Sequence, residues 1–173
     1  NNLTYSPNGT STLNASASST LTVSYVSSDT DVATIAGNTL TIKKAGSTTI
    51  TASQAGNTNY NAATNVQQVQ VIVKANQTIT FGTLNNLTYS LNGTSTLTAS
   101  STSLLTITFT SSTPSVATIA NNILTIIGAG TTSITASQAG NDNYNAATDV
   151  TFTLTVNKAN QSITGIDDIT KTY

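Results

Sequence analysis

Thr151-Phe152-Thr153-Leu154-Thr155-Val156 alternates hydroxyl and apolar side chains without a break. In an extended chain successive side chains point to opposite faces. Phe152, Leu154 and Val156 then share one face, and the three threonines share the other. That is the pattern of a strand buried on one side and wetted on the other. The same period appears elsewhere: Leu105, Ile107 and Phe109 against Thr106, Thr108 and Thr110, and Leu21, Val23 and Tyr25 against Thr22 and Ser24. No apolar stripe of period 3.6 competes with it, and Thr, Ser, Asn and Gly are poor helix-interior residues.

The alternation belongs to a repeated unit. Residues 1–74 align on 85–158 at a constant offset of 84, with 47 of 74 positions identical and no gap. A third repeat then begins, because Lys74-Ala75-Asn76-Gln77-Thr78-Ile79-Thr80 returns as Lys158-Ala159-Asn160-Gln161-Ser162-Ile163-Thr164. A period of 84 residues is too long for a solenoid coil and suits a small β domain used in series. The expected organisation is an incomplete repeat at 1–74 that lacks its first strand, a complete repeat at 75–158, and the first strand of a third at 159–173.

Seven strands are expected in the complete repeat, near 77–82, 94–102, 104–112, 116–121, 123–127, 131–138 and 149–157. Turn residues separate them. Asn8-Gly9 and Asn92-Gly93 suit tight turns, and Gly37-Asn38 and Asn121-Asn122 suit two-residue hairpins. Seven short strands with regular turns indicate tandem immunoglobulin-like β-sandwiches, an all-β fold. The expected core is Ile79, Phe81, Leu97, Leu105, Ile107, Phe109, Val116, Ile119, Leu124, Ile126, Ile134, Val150, Phe152, Leu154 and Val156. One stretch breaks the pattern. In Val66-Gln67-Gln68-Val69-Gln70-Val71-Ile72-Val73, the residues Val69, Val71 and Val73 align with outward Thr153, Thr155 and Asn157. A one-residue slip would turn every side chain over, so either a bulge restores the register, which is the favoured expectation, or Gln68 and Gln70 lie near a partly open end.

Composition removes whole classes of function. The only charged residues are five Lys and six Asp, the net charge is −1, and Arg, Glu, His, Cys, Met and Trp are absent. No basic stripe exists to neutralise nucleic-acid phosphates, and no polybasic patch exists for an anionic membrane. No apolar run approaches the ~20 residues of a membrane-spanning helix. The usual catalytic bases, thiols and transition-metal ligands are missing, so an enzyme is not expected. With no signal peptide at its start, the chain reads as a mature or excised piece. Abundant Thr, Ile and Val argue against disorder.

Between repeats the chain runs through Lys74-Ala75-Asn76 without Gly or Pro, a linker expected to limit relative motion. The expectation is a semi-rigid rod gaining roughly 35–45 Å per repeat. Because 1–74 lacks the counterpart of the strand near 77–82, one sheet edge should be open, and edges recruit strands. Other copies could therefore join head to tail through 159–173, although a frayed tail and a tolerated open edge is the plainer reading.

Several motifs resemble bacterial immunoglobulin-like (Big-type) tandem repeats of large cell-surface adhesins. They are Lys74-Ala75-Asn76-Gln77-Thr78-Ile79-Thr80-Phe81, Val116-Ala117-Thr118-Ile119-Ala120, Gly128–Asn141 with Asn143-Tyr144-Asn145-Ala146-Ala147, and Lys171-Thr172-Tyr173. The counterparts Leu3-Thr4-Tyr5 and Leu87-Thr88-Tyr89 depart from the last motif at its Lys. The resemblance covers essentially the whole chain. It implies an immunoglobulin-like sandwich, display on a bacterial cell surface, and use as stalk or adhesive modules.

Two chemical readings remain. Calcium takes hard oxygen ligands, and Asp29, Asp31, Asp167 and Asp168 are the candidates. None recurs at the 84-residue offset, and solvated turn residues are the plainer reading. Apart from calcium no cofactor is expected. Second, the near-identical loops at 54–63 and 138–147 carry Asn59, Tyr60 and Asn61, and Asn143, Tyr144 and Asn145. Tyr offers a stacking face and amides offer paired hydrogen bonds, which suit a glycan or surface contact. Alternatively the tyrosines plug an end of the sandwich while the amides satisfy turn backbone. The expected function is a structural stalk that projects a distal binding region, with neighbouring repeats as partners. The alternative is weak glycan or surface binding by the repeats, multiplied by avidity.

Overall fold

A computed structural model describes residues 1–165. Sixteen strands and no helix occur among them. The candidates Asp167 and Asp168, the Lys171-Thr172-Tyr173 motif and the end of the 159–173 segment lie outside the described residues. The chain forms two compact units. The first comprises Asn1–Thr78 with Ser101–Leu105 and Gln138–Thr148; the second comprises Ile79–Ser100, Thr106–Ser137 and the chain from Asp149 on.

In the first unit the strands are β1 (Leu3–Thr4), β2 (Thr10–Thr12), β3 (Ser24–Ser27), β4 (Ala33–Ala36), β5 (Thr39–Ile42), β6 (Gly46–Ser53) and β7 (Val66–Val73). They make two sheets, β1-β7-β6-β3 and β2-β5-β4. β1 runs parallel to β7, and the other pairs are antiparallel. Three strands on one sheet facing four on the other, in this order, is the immunoglobulin-like arrangement. The core between them holds Val32, Ala33, Leu40, Ile42, Ile50 and Ile72.

The second unit has β8 (Ile79–Phe81), β9 (Leu87–Thr88), β10 (Thr94–Thr96), β11 (Ala99–Ser101), β12 (Thr108–Ser111), β13 (Ala117–Ala120), β14 (Ile123–Ile126), β15 (Gly130–Ser137) and β16 (Val150–Asn157). Its sheets β12-β15-β16-β9 and β10-β14-β13 repeat the first unit, and β8 pairs with β11 in addition. Leu97, Val116, Ala117, Leu124, Ile126, Ile134, Leu154 and Val156 form the core. Each large aliphatic side chain buried there contributes roughly 1.5–3 kcal/mol.

The turns follow the sequence. Asn8 and Asn92 take φ 55° and 54°, and the N–H of the following glycine donates to Ser6 O at 2.9 Å and to Ser90 O at 3.0 Å. Gly37 and Asn121 open their hairpins with φ 59° and 56°. Two buried hydroxyls absent from the expected core recur in both units. Thr48 Oγ1 lies 2.7 Å from Ser27 Oγ and accepts from Asp29 N; Thr132 Oγ1 lies 2.8 Å from Ser111 Oγ and accepts from Thr113 N. A buried hydroxyl with this many partners is satisfied rather than destabilising.

Several expectations need correction. The strand placed at 104–112 begins at Thr108, because Leu104 sits in a turn at φ 61° with 92% of its surface exposed. The strand placed at 94–102 is two strands, β10 and β11, and the short strand β9 is additional. Phe152 is 37% exposed rather than buried, and Ile79, Phe81, Leu105, Ile107, Phe109, Ile119 and Val150 are half-buried. Phe81 packs at 5.1 Å on Phe152 and at 5.4 Å on Phe109, so these rings form a cluster at the sandwich margin. Buried Ala117 and Ala136 fill the centre instead.

No bulge interrupts β7. Its pairing with β6, from Gly46↔Ile72 to Ala52↔Val66, repeats the β15·β16 register of Gly130↔Val156 to Ala136↔Val150. The backbone ladder, not the hydrophobic pattern, fixes the alignment. Val66 and Val69 are consequently exposed, while Gln70 stands where Leu154 is fully buried. Gln70 reconciles this by donating from Nε2 to Asn1 O at 3.1 Å and to Val71 O at 3.0 Å.

Candidate functional site

Both loops are built on the same internal scaffold. In the first repeat, Asn57 Oδ1 accepts from Asn59 N at 2.8 Å and Tyr60 N at 3.0 Å, and Asn57 N donates to Tyr60 O at 2.9 Å. Asn141 does the same for Asn143 N at 2.8 Å, Tyr144 N at 2.9 Å and Tyr144 O at 3.0 Å. A glycine lets the chain close on itself. Gly56 and Gly140 take φ 76° and 77°, and a Cβ on them would lie 2.3 Å from Tyr60 O and 2.4 Å from Tyr144 O. Any other residue would meet backbone there, in a conformation L side chains disfavour. Asn57 and Asn141 thus satisfy turn backbone, and the other amides are left to act elsewhere.

In their surroundings the loops differ. The loop at Gln138–Thr148 is held firmly within the first compact unit. Tyr144 meets Tyr5 edge to face, with ring centroids 5.4 Å apart at 87°. Asn143 Oδ1 accepts from Ala45 N at 2.9 Å, and Asn145 Nδ2 donates to Asn76 Oδ1 at 2.8 Å. Ala75 is clasped on both sides, donating to Asn143 O and accepting from Asn145 N, each at 2.9 Å. Lys74 Nζ donates to Asn141 O at 2.7 Å. Lys44 Nζ pairs with Asp142 Oδ2 at 3.0 Å. The hydrogen bond from Lys44, and then its charge, hold the Asp142 carboxyl below the usual carboxylate range, with a smaller pull from Lys74. Both ends of the pair are well exposed, so water and salt weaken it.

None of these partners engages the loop at 54–64. Asn59 and Asn61 are exposed, and Tyr60 has 52% of its surface in solvent. The structure therefore half-buries Asn143 and Tyr144, holds the exposed Asn145 by its hydrogen bonds to Asn76 and Ala75, and leaves Asn59, Tyr60 and Asn61 together on the surface.

The calcium candidates fare differently. Asp29 Oδ1 accepts from Asp31 N at 2.9 Å and Val32 N at 3.3 Å, closing the turn before β4. Asp31 is exposed. No group of three His, Cys, Asp or Glu side chains gathers among the described residues.

Sequence reasoning missed Tyr5, Lys44, Ala45 and Lys74 as the partners of the second loop. A signal existed. Asp142 replaces Thr58 and Lys44 replaces Gly128, so two departures from the repeat are the two ends of one ion pair.

No protein-family model matches the chain, and no curated protein matches it. Solved structures with similar backbones include a C-terminal 282-residue fragment of intimin in complex with the intimin-binding domain of its translocated receptor. It has a TM-score of 0.34 and 18% identity, over 78% of this chain and 51% of that one. The surface-layer protein SbsC, domains 1–6, has a TM-score of 0.35 and 16% identity, over 80% of this chain and 20% of that one. Mouse protocadherin-24 EC1-3 has a TM-score of 0.34 and 12% identity, over 79% and 58%. The chain spans about half of the intimin fragment and a fifth of the SbsC chain. Likenesses this distant carry no argument about role.

Proposed function

We propose that the chain is a piece of a structural array: immunoglobulin-like repeats of an extracellular bacterial surface adhesin, acting as a spacer for a distal binding region. One observation carries this reading. The repeated cluster richest in recognition chemistry, Asn143-Tyr144-Asn145, is engaged by a ring contact with Tyr5 and hydrogen bonds with Ala45, Ala75 and Asn76. Residue chemistry supports it as well. The chain has no His, Cys or Glu for catalysis, and its polarity is carried by neutral Thr, Ser and Asn, whose hydrogen bonds are little affected by salt. The motif resemblance supplies the bacterial, cell-surface setting. Neighbouring repeats are then the first partners of each loop.

A second reading rests on the exposed triplet Asn59, Tyr60 and Asn61, which could contact a glycan or surface weakly and gain by avidity. The test is multivalent display of the full chain against a glycan array and whole cells, with and without calcium. The spacer reading expects no specific retention in either condition. Retention abolished by Tyr60→Ala would establish the adhesive reading, and retention dependent on calcium would restore the carboxylates as ligands.

A further inference from the structure

The side-chain pattern of β7 and the ladder that holds it disagree. Gln70 stands on the core face opposite buried Thr48, and Gln68 on the same face opposite buried Ile50. Val69 and Val71 stand on the solvent face opposite Thr49 and Ser47, and Val73 continues that row. Val69 is 62% exposed and Val73 39%. In β16 the equivalent positions agree with their faces: Phe152 and Leu154 stand on the core face, and Thr153, Thr155 and Asn157 face solvent. Over this stretch of β7 only Ile72 is a fully buried aliphatic residue.

A shift of β7 by one residue removes the conflict. Val73, Val71 and Val69 then face Gly46, Thr48 and Ile50, and Ile72, Gln70 and Gln68 turn to solvent. One isoleucine leaves the core face, three valines enter it, and two amides are released from it. A one-residue slip turns every side chain over. All ladder bonds of β7 break in the exchange and re-form one position along, because the strand contains no Pro. β1 follows through only two paired residues, Leu3 and Thr4. Val66 passes into the loop that precedes the strand.

This slip has one direction. It draws Lys74 into the strand and pulls the linker toward the sheet by one residue, about 3.3 Å. That linker is what the second loop grips. Ala75 is bonded to Asn143 O and to Asn145 N, and Lys74 Nζ donates to Asn141 O. Buried Gln77 donates to Gln138 Oε1 and to Asn145 O. We infer that the clasp is a register lock. While the loop at Gln138–Thr148 holds Lys74–Gln77, the linker does not advance and β7 keeps its valines outward. When the loop lets go, β7 slips by one residue and buries them. Two packings of one sequence then form a two-state element, biased by a loop of the next repeat. The inference rests on the pairing within the first unit and is independent of the spacer reading.

NMR of the full chain reads the register directly. Cross-strand contacts between Thr49 and Val69 mark the present pairing, and contacts between Thr49 and Gln70 mark the slipped one. Exchange measurements sensitive to minor states give the populations. Tyr144→Ala loosens the clasp and should raise the slipped population about tenfold. Asn143→Ala loosens it without removing a ring and should act in the same direction, which separates a slip from unfolding of the unit. Adding Gln70→Leu to either variant should restore the present register, because a leucine there agrees with the core face. Adding Val69→Thr together with Val71→Thr should do the same. Thr49–Val69 contacts alone in both loosened variants would overturn the inference. So would a slipped population that Gln70→Leu leaves unchanged.

Discussion

The two repeats are most alike where their surroundings differ most, and least alike where their backbones coincide. Across the loops 54–64 and 138–148 the sequences differ at one position, Thr58 against Asp142, yet one loop is clasped and the other is open. Across 66–74 and 150–158 only Val66 and Lys74 are retained, yet the two strands pair in the same register. Sequence identity thus records which scaffold the backbone must build. What the scaffold then touches depends on its neighbours. Strand register survives a change of side-chain pattern because eight residues of ladder hydrogen bonds move together, and a slip would break them all.

The largest break in this comparison is Leu154→Gln, which writes the first repeat's Gln70 into the second. Leu154 is fully buried, so the variant loses its apolar contacts and buries an amide, costing about 3–5 kcal/mol. The reverse change, Gln70→Leu, should alter stability by about 1 kcal/mol or less, since that position is half-buried. Chemical denaturation monitored separately for each unit checks both, because two units need not unfold as one transition.

Gly140→Ala should cost about 2 kcal/mol or more through backbone overlap with Tyr144 O and the positive φ. Gly56→Ala meets the same overlap, yet its loop holds nothing else in place. Its effect should stay within the loop, while Gly140→Ala also releases Ala45 and Ala75. Amide exchange at those two residues separates the cases.

Tyr144→Ala should destabilise the first unit by about 1–2 kcal/mol, and Tyr60→Ala by less than about 0.5 kcal/mol. A double-mutant cycle with Tyr5→Ala should give a coupling of about 0.5–1.5 kcal/mol for Tyr144. No coupling is expected for Tyr60.

Asp142→Asn is the smallest perturbation. The carboxyl titrates lower in the folded chain than in the unfolded one, so its contribution is present above the unfolded carboxylate pKa. It is lost as pH falls through the folded value. A thermal scan near neutral pH and low salt should show a slight loss of Tm. The difference should vanish in acid or in high salt.

Much of the fold was legible in the sequence because strands and turns are local. Alternating Thr and aliphatic residues located β15 and β16 closely, and Asn-Gly pairs located the turns. Local signals failed where a longer-range constraint won. Leu104 lies in an apolar-looking run, but a turn carries it into solvent at positive φ. Phe152 belongs to a strand read correctly, yet it sits at the sandwich margin under Phe81. At the candidate site the sequence singled out the two loops and their Asn-Tyr-Asn triplets, and the structure places one triplet against other residues and the other in solvent. The sequence could not say that the two loops would have different neighbours, because those neighbours are distant in sequence, Ala45 lying 98 residues from Asn143 and Tyr5 farther still from Tyr144, and carry no local pattern. Only the paired departures at Lys44 and Asp142 pointed to them.

The central claim is that the second loop is a clasp and the first is not. Amide exchange at Ala45 and Ala75, in the intact chain and in Tyr144→Ala, tests it most directly, with Ala129, the counterpart of Ala45, as the internal control. The account predicts slow exchange at Ala45 and Ala75 that becomes fast in the variant, and unchanged exchange at Ala129. Equal exchange at Ala45 and Ala75 in both proteins would contradict it.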